Sequence, residues 1–305
     1  MRRTITLVAA LAAALICAKP AGAYVRYTSN NGKMFKWSQT CVQLTVYPAD
    51  LEAMMSVEEI LGAVDASAAA WSGTSDSCTY LDIMVSSSTD PTPRATNDGR
   101  NLVIFRNSNW CKLAADGTCD PAVPYDPAAL ALTSVSASTS SGTIRDADIE
   151  VNAYHFQWAD LVSHPELRGA GMPYHDLQNA VTHEMGHLIG LDHTCTFQPP
   201  APLDNTGTPI PDCADASPAV LATTMFPSAN PGDIDKRTLA PDDQMAVCDI
   251  YPASQNPMSC SPVGTTPTSS GCDSCATAGP ATPAVGLVAL IAAALMVARA
   301  RRRRG

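Results

Sequence analysis

Residues 183–193 read His183-Glu184-Met185-Gly186-His187-Leu188-Ile189-Gly190-Leu191-Asp192-His193. On an α-helix, residues four apart lie about 40° from each other around the axis and one turn apart along it. His183 and His187 therefore offer two imidazoles to one point. Glu184 falls about 60° from His187, on the edge of the same face. Gly190 ends the helix, because glycine readily takes the left-handed backbone that turns the chain. Three residues later His193 can swing back as a third ligand. Three histidines leave one tetrahedral position open, the pattern of a catalytic rather than a structural zinc, and Glu184 stands where a general base is needed. The bland alternative is a His-rich surface helix with no metal. H-E-x-x-H alone arises by accident on amphipathic helices, and the added Gly190 and His193 narrow the reading. Asp176 supplies an N-cap for this helix, and Leu177, Val181 and Leu188 its core face.

Upstream, Val42, Leu44 and Val46 alternate with polar neighbours as a strand does. Ser56-Val57-Glu58-Glu59 is a Ser-x-x-Glu capping box. It opens a helix with Val57, Ile60, Leu61, Val64, Ala68 and Trp71 at helical spacing. Further strands are expected at Tyr80 to Val85, Leu102 to Arg106 and Leu130 to Ser136. In Asp146-Ala147-Asp148-Ile149-Glu150-Val151 apolar residues alternate with acidic ones, the pattern of a half-exposed strand. The stretch Asn107 to Pro127 is rich in turn formers and holds Cys111 and Cys119, so a disulfide-tied loop is expected. Downstream, Pro199 to Pro231 reads as irregular. A last short helix fits Pro241 to Tyr251, with Pro241 in its first turn and Asp242 and Asp243 where the helix dipole favours negative charge. Strands and one helix come before the histidine-bearing helix, which makes the fold class α+β.

The two ends read differently. Met1-Arg2-Arg3, an apolar run from Ile5 to Cys17 and then Ala21-Gly22-Ala23 form a secretory signal peptide over residues 1–23. A lipoprotein signal built on Cys17 is the alternative, weakened by bulky Leu15 and Ile16. The folded domain is expected over 24–252, followed by a Pro-, Ser- and Thr-rich linker over 253–271. The ends hold eight of the 19 basic residues, so between Tyr24 and Gly271 eleven basic residues face 28 acidic ones, a net of −17. That balance argues against nucleic acid or an anionic membrane surface as partner. Cys41, Cys78, Cys111, Cys119, Cys195, Cys213, Cys248 and Cys260 form an even set in a chain bound for an oxidising compartment, so disulfides are favoured over metal ligation. Sequence proximity pairs Cys111–Cys119, Cys195–Cys213 and Cys248–Cys260, with Cys41–Cys78 closing the rest.

The segment 183–193 resembles the H-E-x-x-H-x-x-G-x-x-H signature of metzincin zinc metalloproteases. Thr223-Thr224-Met225-Phe226-Pro227 resembles their methionine turn, with Met225 as a packing floor beneath the metal. Leu239-Ala240-Pro241-Asp242-Asp243 resembles the entry to the last helix of matrixins, and a weaker likeness runs back through Val151-Asn152-Ala153 to the helix at Ser56. The resemblance implies a twisted, mixed five-stranded sheet, an active-site helix and a small C-terminal subdomain. It also implies one catalytic zinc held by His183, His187 and His193, with Glu184 as general base in the hydrolysis of protein or peptide substrates. There are departures from the matrixin pattern. Thr194 follows the third ligand where matrixins carry Ser, adamalysins Asp and astacins Glu. The stretch Ala129 to Thr133 lacks the histidine that serves a second, structural zinc in matrixins, and no Pro-Arg-Cys-Gly switch precedes the domain. A surface adhesion or binding module that has kept the fold without catalysis is the alternative; the intact Glu184 counts against it.

His155, His164 and His175 lie in or beside expected loops and read as surface or hydrogen-bonding residues. Asp204, Asp212, Asp233 and Asp235 are candidate calcium ligands only loosely, since they form no recognised loop; solvated acidic turns account for them. At the C-terminus, Cys272 and Cys275, the apolar segment Ala284 to Ala298, and the cluster Arg299 with Arg301 to Arg304 resemble the tripartite MYXO-CTERM sorting signal over 272–305. That likeness implies envelope sorting machinery as a partner. A permanent membrane helix is the alternative. Either reading ends with an exported enzyme tethered to the cell surface.

Overall fold

The structure, a computed structural model, describes residues 24–73, 78–90, 93–114 and 116–260, together with the backbone of 290–292. The segment 1–23 expected as a signal peptide, the expected linker beyond 260 and the tail expected as a sorting signal, apart from 290–292, lie outside the described residues. In chain order the strands and helices are β1 (Val25–Arg26), β2 (Cys41–Tyr47), α1 (Val57–Trp71), β3 (Asp82–Ser87), β4 (Asn101–Arg106), β5 (Cys111–Leu113) and β6 (Cys119–Pro124). Then come β7 (Ala131–Ala137), β8 (Ile144–Asn152), β9 (Gln157–Ala159), β10 (Tyr174–Asp176), α2 (Leu177–Leu188), β11 (Leu191–Asp192), α3 (Pro218–Leu221) and α4 (Pro241–Ile250). The stretch 199–231, expected to be irregular, carries only the single turn α3.

The architecture is α+β, built on a mixed five-stranded sheet in the order β7-β8-β4-β2-β3. Four strands run parallel and β7 runs antiparallel to β8. The backbone of Leu290–Ala292 pairs antiparallel along β7. Val42, Leu44 and Val46 point to the face that carries α1 and α2, as do Ala147, Ile149 and Val151 from β8. The alternation read in the sequence is thus the one that fills the core. Helix α1 starts on its capping box: Ser56 Oγ accepts from Glu59 N, and the Glu59 carboxylate accepts from Ser56 N at 2.8 Å. Its far end is locked to α2, where Trp71 Nε1 donates to the Thr182 carbonyl at 2.8 Å.

Strand β8 departs from expectation. Its alternation is as read, but its acidic side is not exposed: Asp146, Asp148 and Glu150 are 3%, 1% and 0% exposed. The stretch expected as a disulfide-tied loop is tied by Cys111–Cys119 as read, but folds into the β5–β6 hairpin and joins Ala95 to Asn97 in covering that outer face. Each carboxylate takes a donor in compensation. Asp146 accepts from Gly99 N at 2.8 Å, Asp148 from Leu102 N at 3.1 Å, and Glu150 from Tyr125 Oη at 2.8 Å and from Arg106. Burial pushes the Asp146 carboxyl up to about 7 and, with Asp146 and Glu150 beside it, the Asp148 carboxyl up to about 9. His175, expected near a loop surface, is instead buried on β10 against Phe156 and Trp158.

Two of the four expected disulfides, Cys111–Cys119 and Cys195–Cys213, form as read. The other two pairings are corrected: Cys41 bonds Cys260 and Cys78 bonds Cys248. The reason is the return of the chain after α4. Ala253 N donates to the Cys78 carbonyl, Tyr80 N to Tyr251 O and Thr40 N to Ser259 O. The C-terminal segment is therefore laid across the start of β2 and the approach to β3, and proximity in space overrides proximity in sequence. Four disulfides fit an oxidising, extracellular compartment. No helix among the described residues is long and apolar enough to cross a membrane.

The buried acids have a pH signature. Folding raises the Asp148 carboxyl above its ordinary 3.8, so the folded state binds protons that the unfolded chain releases. The contribution of Asp148 to stability is then present in acid and is lost as pH rises from about 4 to about 9. Buried histidines such as His175, pushed down to about 4, contribute in the opposite sense, so the test is a difference. The urea midpoint of the unaltered chain relative to that of Asp148→Asn, whose amide oxygen keeps the bond from Leu102 N, is expected to fall between pH of about 5 and about 8.5.

Candidate metal centre

Helix α2 is fixed at both ends before it presents any ligand. At its start the Asp176 carboxylate accepts from Asn179 N at 2.8 Å and is gripped by Arg237 through Nε and a terminal nitrogen, at 2.8 and 2.7 Å. At its end, carbonyls of the last turn and of the turn that follows take donors from other segments. Trp37 Nε1 donates to Leu188 O at 2.9 Å, Tyr251 Oη to Ile189 O at 2.6 Å and Tyr27 N to Gly190 O at 2.9 Å. Gly190 turns the chain with φ of 100°, and a Cβ there would stand 2.6 Å from the Phe35 carbonyl oxygen. The expected stop is real, and glycine is required twice over, by conformation and by space.

Beyond that turn His193 swings back as the spacing predicts. Its Nε2 lies 3.3 Å from His183 Nε2 and 3.1 Å from His187 Nε2. The orientation of two rings is set from behind. A carbonyl can only accept, so His183 Nδ1 donates to Thr224 O at 2.6 Å and His187 Nδ1 to Leu191 O at 2.8 Å. Both Nε2 atoms are then bare lone pairs aimed at the third ring. Tyr27 adds to the hold on His187, with its Oη 2.9 Å from Nδ1 and its ring stacked at 5.5 Å. Burial keeps His183 and His193 well below the ordinary histidine range and His187 down at about 4, so all three are neutral. A cation among them, or a proton on His193 Nε2, makes such distances attractive. Metal–nitrogen bonds of 2.0–2.1 Å in a tetrahedron set ligand atoms about 3.3–3.4 Å apart, close to what is observed. His183, His187 and His193 can hold a metal ion.

Glu184 is fully buried. Its Oε2 accepts from Thr133 Oγ1 at 2.6 Å, and the same hydroxyl touches the Glu184 carbonyl at 3.1 Å. Its Oε1 has no partner. Burial pushes the carboxyl up to about 8 against the pull of Thr133 and Lys236. A buried carboxylate oxygen without a donor is costly, so it marks a place where a donor belongs.

Met225 is buried beneath α2, where its Sδ fills the notch left by Gly186; a Cβ on Gly186 would stand 2.2 Å from that sulfur and 3.0 Å from Trp71. The turn itself is held from α4: the buried Asp243 carboxylate accepts from Thr224 N at 2.7 Å and Ala240 N at 3.2 Å. Asp243, read as a helix-dipole partner, is thus the anchor of the residue that orients His183. Thr194 Oγ1 meets Thr223 Oγ1 at 2.8 Å, tying the third histidine's strand to the same turn. Lys236 is buried among these groups, 3.4 Å from His183 Nδ1 and donating to the Phe226 carbonyl. Thr133, Lys236 and Tyr27 carry no mark in the sequence. Each is a lone residue far along the chain from the motif it serves. Of the other histidines, His155 bonds Asn152 and His164 bonds Glu59. Asp204 closes an Asx turn onto Thr206 and Thr208.

The chain matches no family model, and no curated protein matches it significantly.

The notch at Gly186 is directly testable. Gly186→Ala should lower stability by about 1–3 kcal/mol through overpacking, read by chemical denaturation. Displacing Met225 also moves the Thr224 carbonyl off His183, so metal affinity, read by chelator competition, should fall about 10–100-fold.

Proposed function

We propose that this chain is an exported zinc endopeptidase of the metzincin type, with His183, His187 and His193 as metal ligands and Glu184 as general base. The observation that carries the reading is the pairing of three neutral, converging imidazoles with a buried carboxylate that keeps one oxygen unpartnered. The residues fit zinc: three nitrogen donors, two of them oriented by carbonyls behind, are the set that leaves a position open for catalysis. The ion, when bound, supplies Lewis-acid polarisation of a peptide carbonyl and of water.

The remaining chemistry belongs to the side chains. Thr133 holds Oε2 of Glu184 and so fixes the plane of the carboxylate. Oε1 is left to take a proton from the attacking water and deliver it to the leaving amine. Burial pushes this carboxyl upward, and a cation held by the three imidazoles would draw it back toward the ionised form that a general base requires. Met225 serves as packing floor, not ligand. An adhesion module would gain nothing from a carboxylate buried at such cost. Protein or peptide chains outside the cell are the proposed substrates. Residues 1–23 direct export, and the 272–305 tail tethers the enzyme to the envelope through sorting machinery.

Casein cleavage tests the proposal. A zinc chelator should abolish it and added zinc restore it. Glu184→Gln should lower it by about 10²–10⁴-fold while elemental analysis finds the same zinc content as in the unaltered chain. Equal rates for the two forms would remove the endopeptidase reading.

A further inference from the structure

A cavity of about 340 Å³ lies behind His183, within the range of sites that accept a ligand group. Its walls are parts of the metal centre's own support. Asn179 stands one turn before His183 on α2, Thr223 and Phe226 flank the turn that receives His183 Nδ1, and Lys236 touches that same nitrogen. Leu221 and the Phe226 ring make one side apolar. Asp233 and Asp235, from the loop that closes the cavity, supply two carboxylates. Lys236 is the one cation among the lining residues; its Nζ donates to the Phe226 carbonyl, beneath the ring of the same residue, and feels the Asp233 carboxylate, so the two aspartates leave the lining with a net negative charge. Asp233 Oδ2 is oriented by Asn230, whose backbone and side-chain nitrogens donate at 2.6 and 3.0 Å.

We propose that this cavity receives a long basic side chain, arginine or lysine, of a peptide bound across the metal centre, with Asp233 and Asp235 as the specificity-determining residues. The inference rests on the endopeptidase reading and adds the class of substrate. Arginine and lysine lay an apolar stem along apolar wall while the charged head stays on carboxylate and water. A glutamate side chain would meet two like charges. Leucine would fill the wall and leave the carboxylates unused.

Three short peptide hydroxamates, differing only in an Arg, Leu or Glu side chain next to the metal-chelating group, test this on the zinc-loaded chain by calorimetry. The Arg compound should bind about tenfold tighter than the Leu compound, with Glu weakest; about tenfold corresponds to about 1.4 kcal/mol. In an Asp233→Asn, Asp235→Asn double variant the Arg advantage should vanish while Leu affinity holds. Asp235→Asn alone, at an exposed position, should lose part of it and guards against misfolding of the double variant. Leu binding as well as Arg, an Arg preference untouched by these substitutions, or no binding by any of the three overturns the proposal. Casein cleavage is scored separately. Selective hydroxamate binding by a chain that cleaves no protein would sink the endopeptidase reading and leave the cavity's preference standing.

Discussion

Two imidazoles that cannot rotate govern this molecule. His183 and His187 each spend Nδ1–H on a backbone carbonyl, Thr224 and Leu191, and are left with lone pairs facing His193. His193 Nε2 stands 3.3 and 3.1 Å from theirs, a spacing that a shared cation or a proton on the third ring makes attractive. The surrounding fold keeps the rings in that arrangement. Asp176 and Arg237 grip the start of α2, and Trp37, Tyr251 and Tyr27 cap its end. Below it, Met225 is seated in the notch at Gly186, with Asp243 holding the Thr224 amide from α4.

The same region carries several groups that a stable core would not choose. Glu184, Lys236 and Asp243 are all buried ionisable side chains, and Glu184 and Asp243 each keep an oxygen without a partner. On the far face of the sheet Asp146, Asp148 and Glu150 lie under the β5–β6 hairpin. Burial of charge opposes folding unless donors compensate. Here much of the compensation is supplied by single backbone amides and by Arg106 and Tyr125. Against this stand one large apolar cluster on the helical face and four disulfides, two of which span separations of 219 and 170 residues. Cross-links of that span act mainly on the unfolded chain, which they deprive of freedom.

Much was legible from local pattern, because helix and strand periods are properties of neighbouring residues. The capping box at Ser56, the strand alternations of β2 and β8 and the stop at Gly190 each depend on a few consecutive side chains, and each is found where its pattern lies. The three histidines and Glu184 were legible for the same reason: one helical turn and one glycine place them. What failed were the inferences on strand exposure and long-range disulfide pairing, which needed to know which distant segment lies alongside. The acidic side of β8 reads as exposed until a hairpin some thirty residues earlier is laid over it. Cys41 and Cys78 look like partners until the chain after α4 returns to lie between them.

By itself, then, the sequence determined the α+β succession, the helix that bears the ligands and the three imidazoles that meet. Tertiary structure alone decided which carbonyls turn those rings, that Thr133 holds one oxygen of Glu184, and that Asp243 and Lys236 stand beneath the centre. The physical reason is one of range. Backbone hydrogen bonding and side-chain periodicity act over a few residues, whereas hydrogen bonds that orient a ligand or satisfy a buried carboxylate are made by whatever the folded chain brings within about 3 Å.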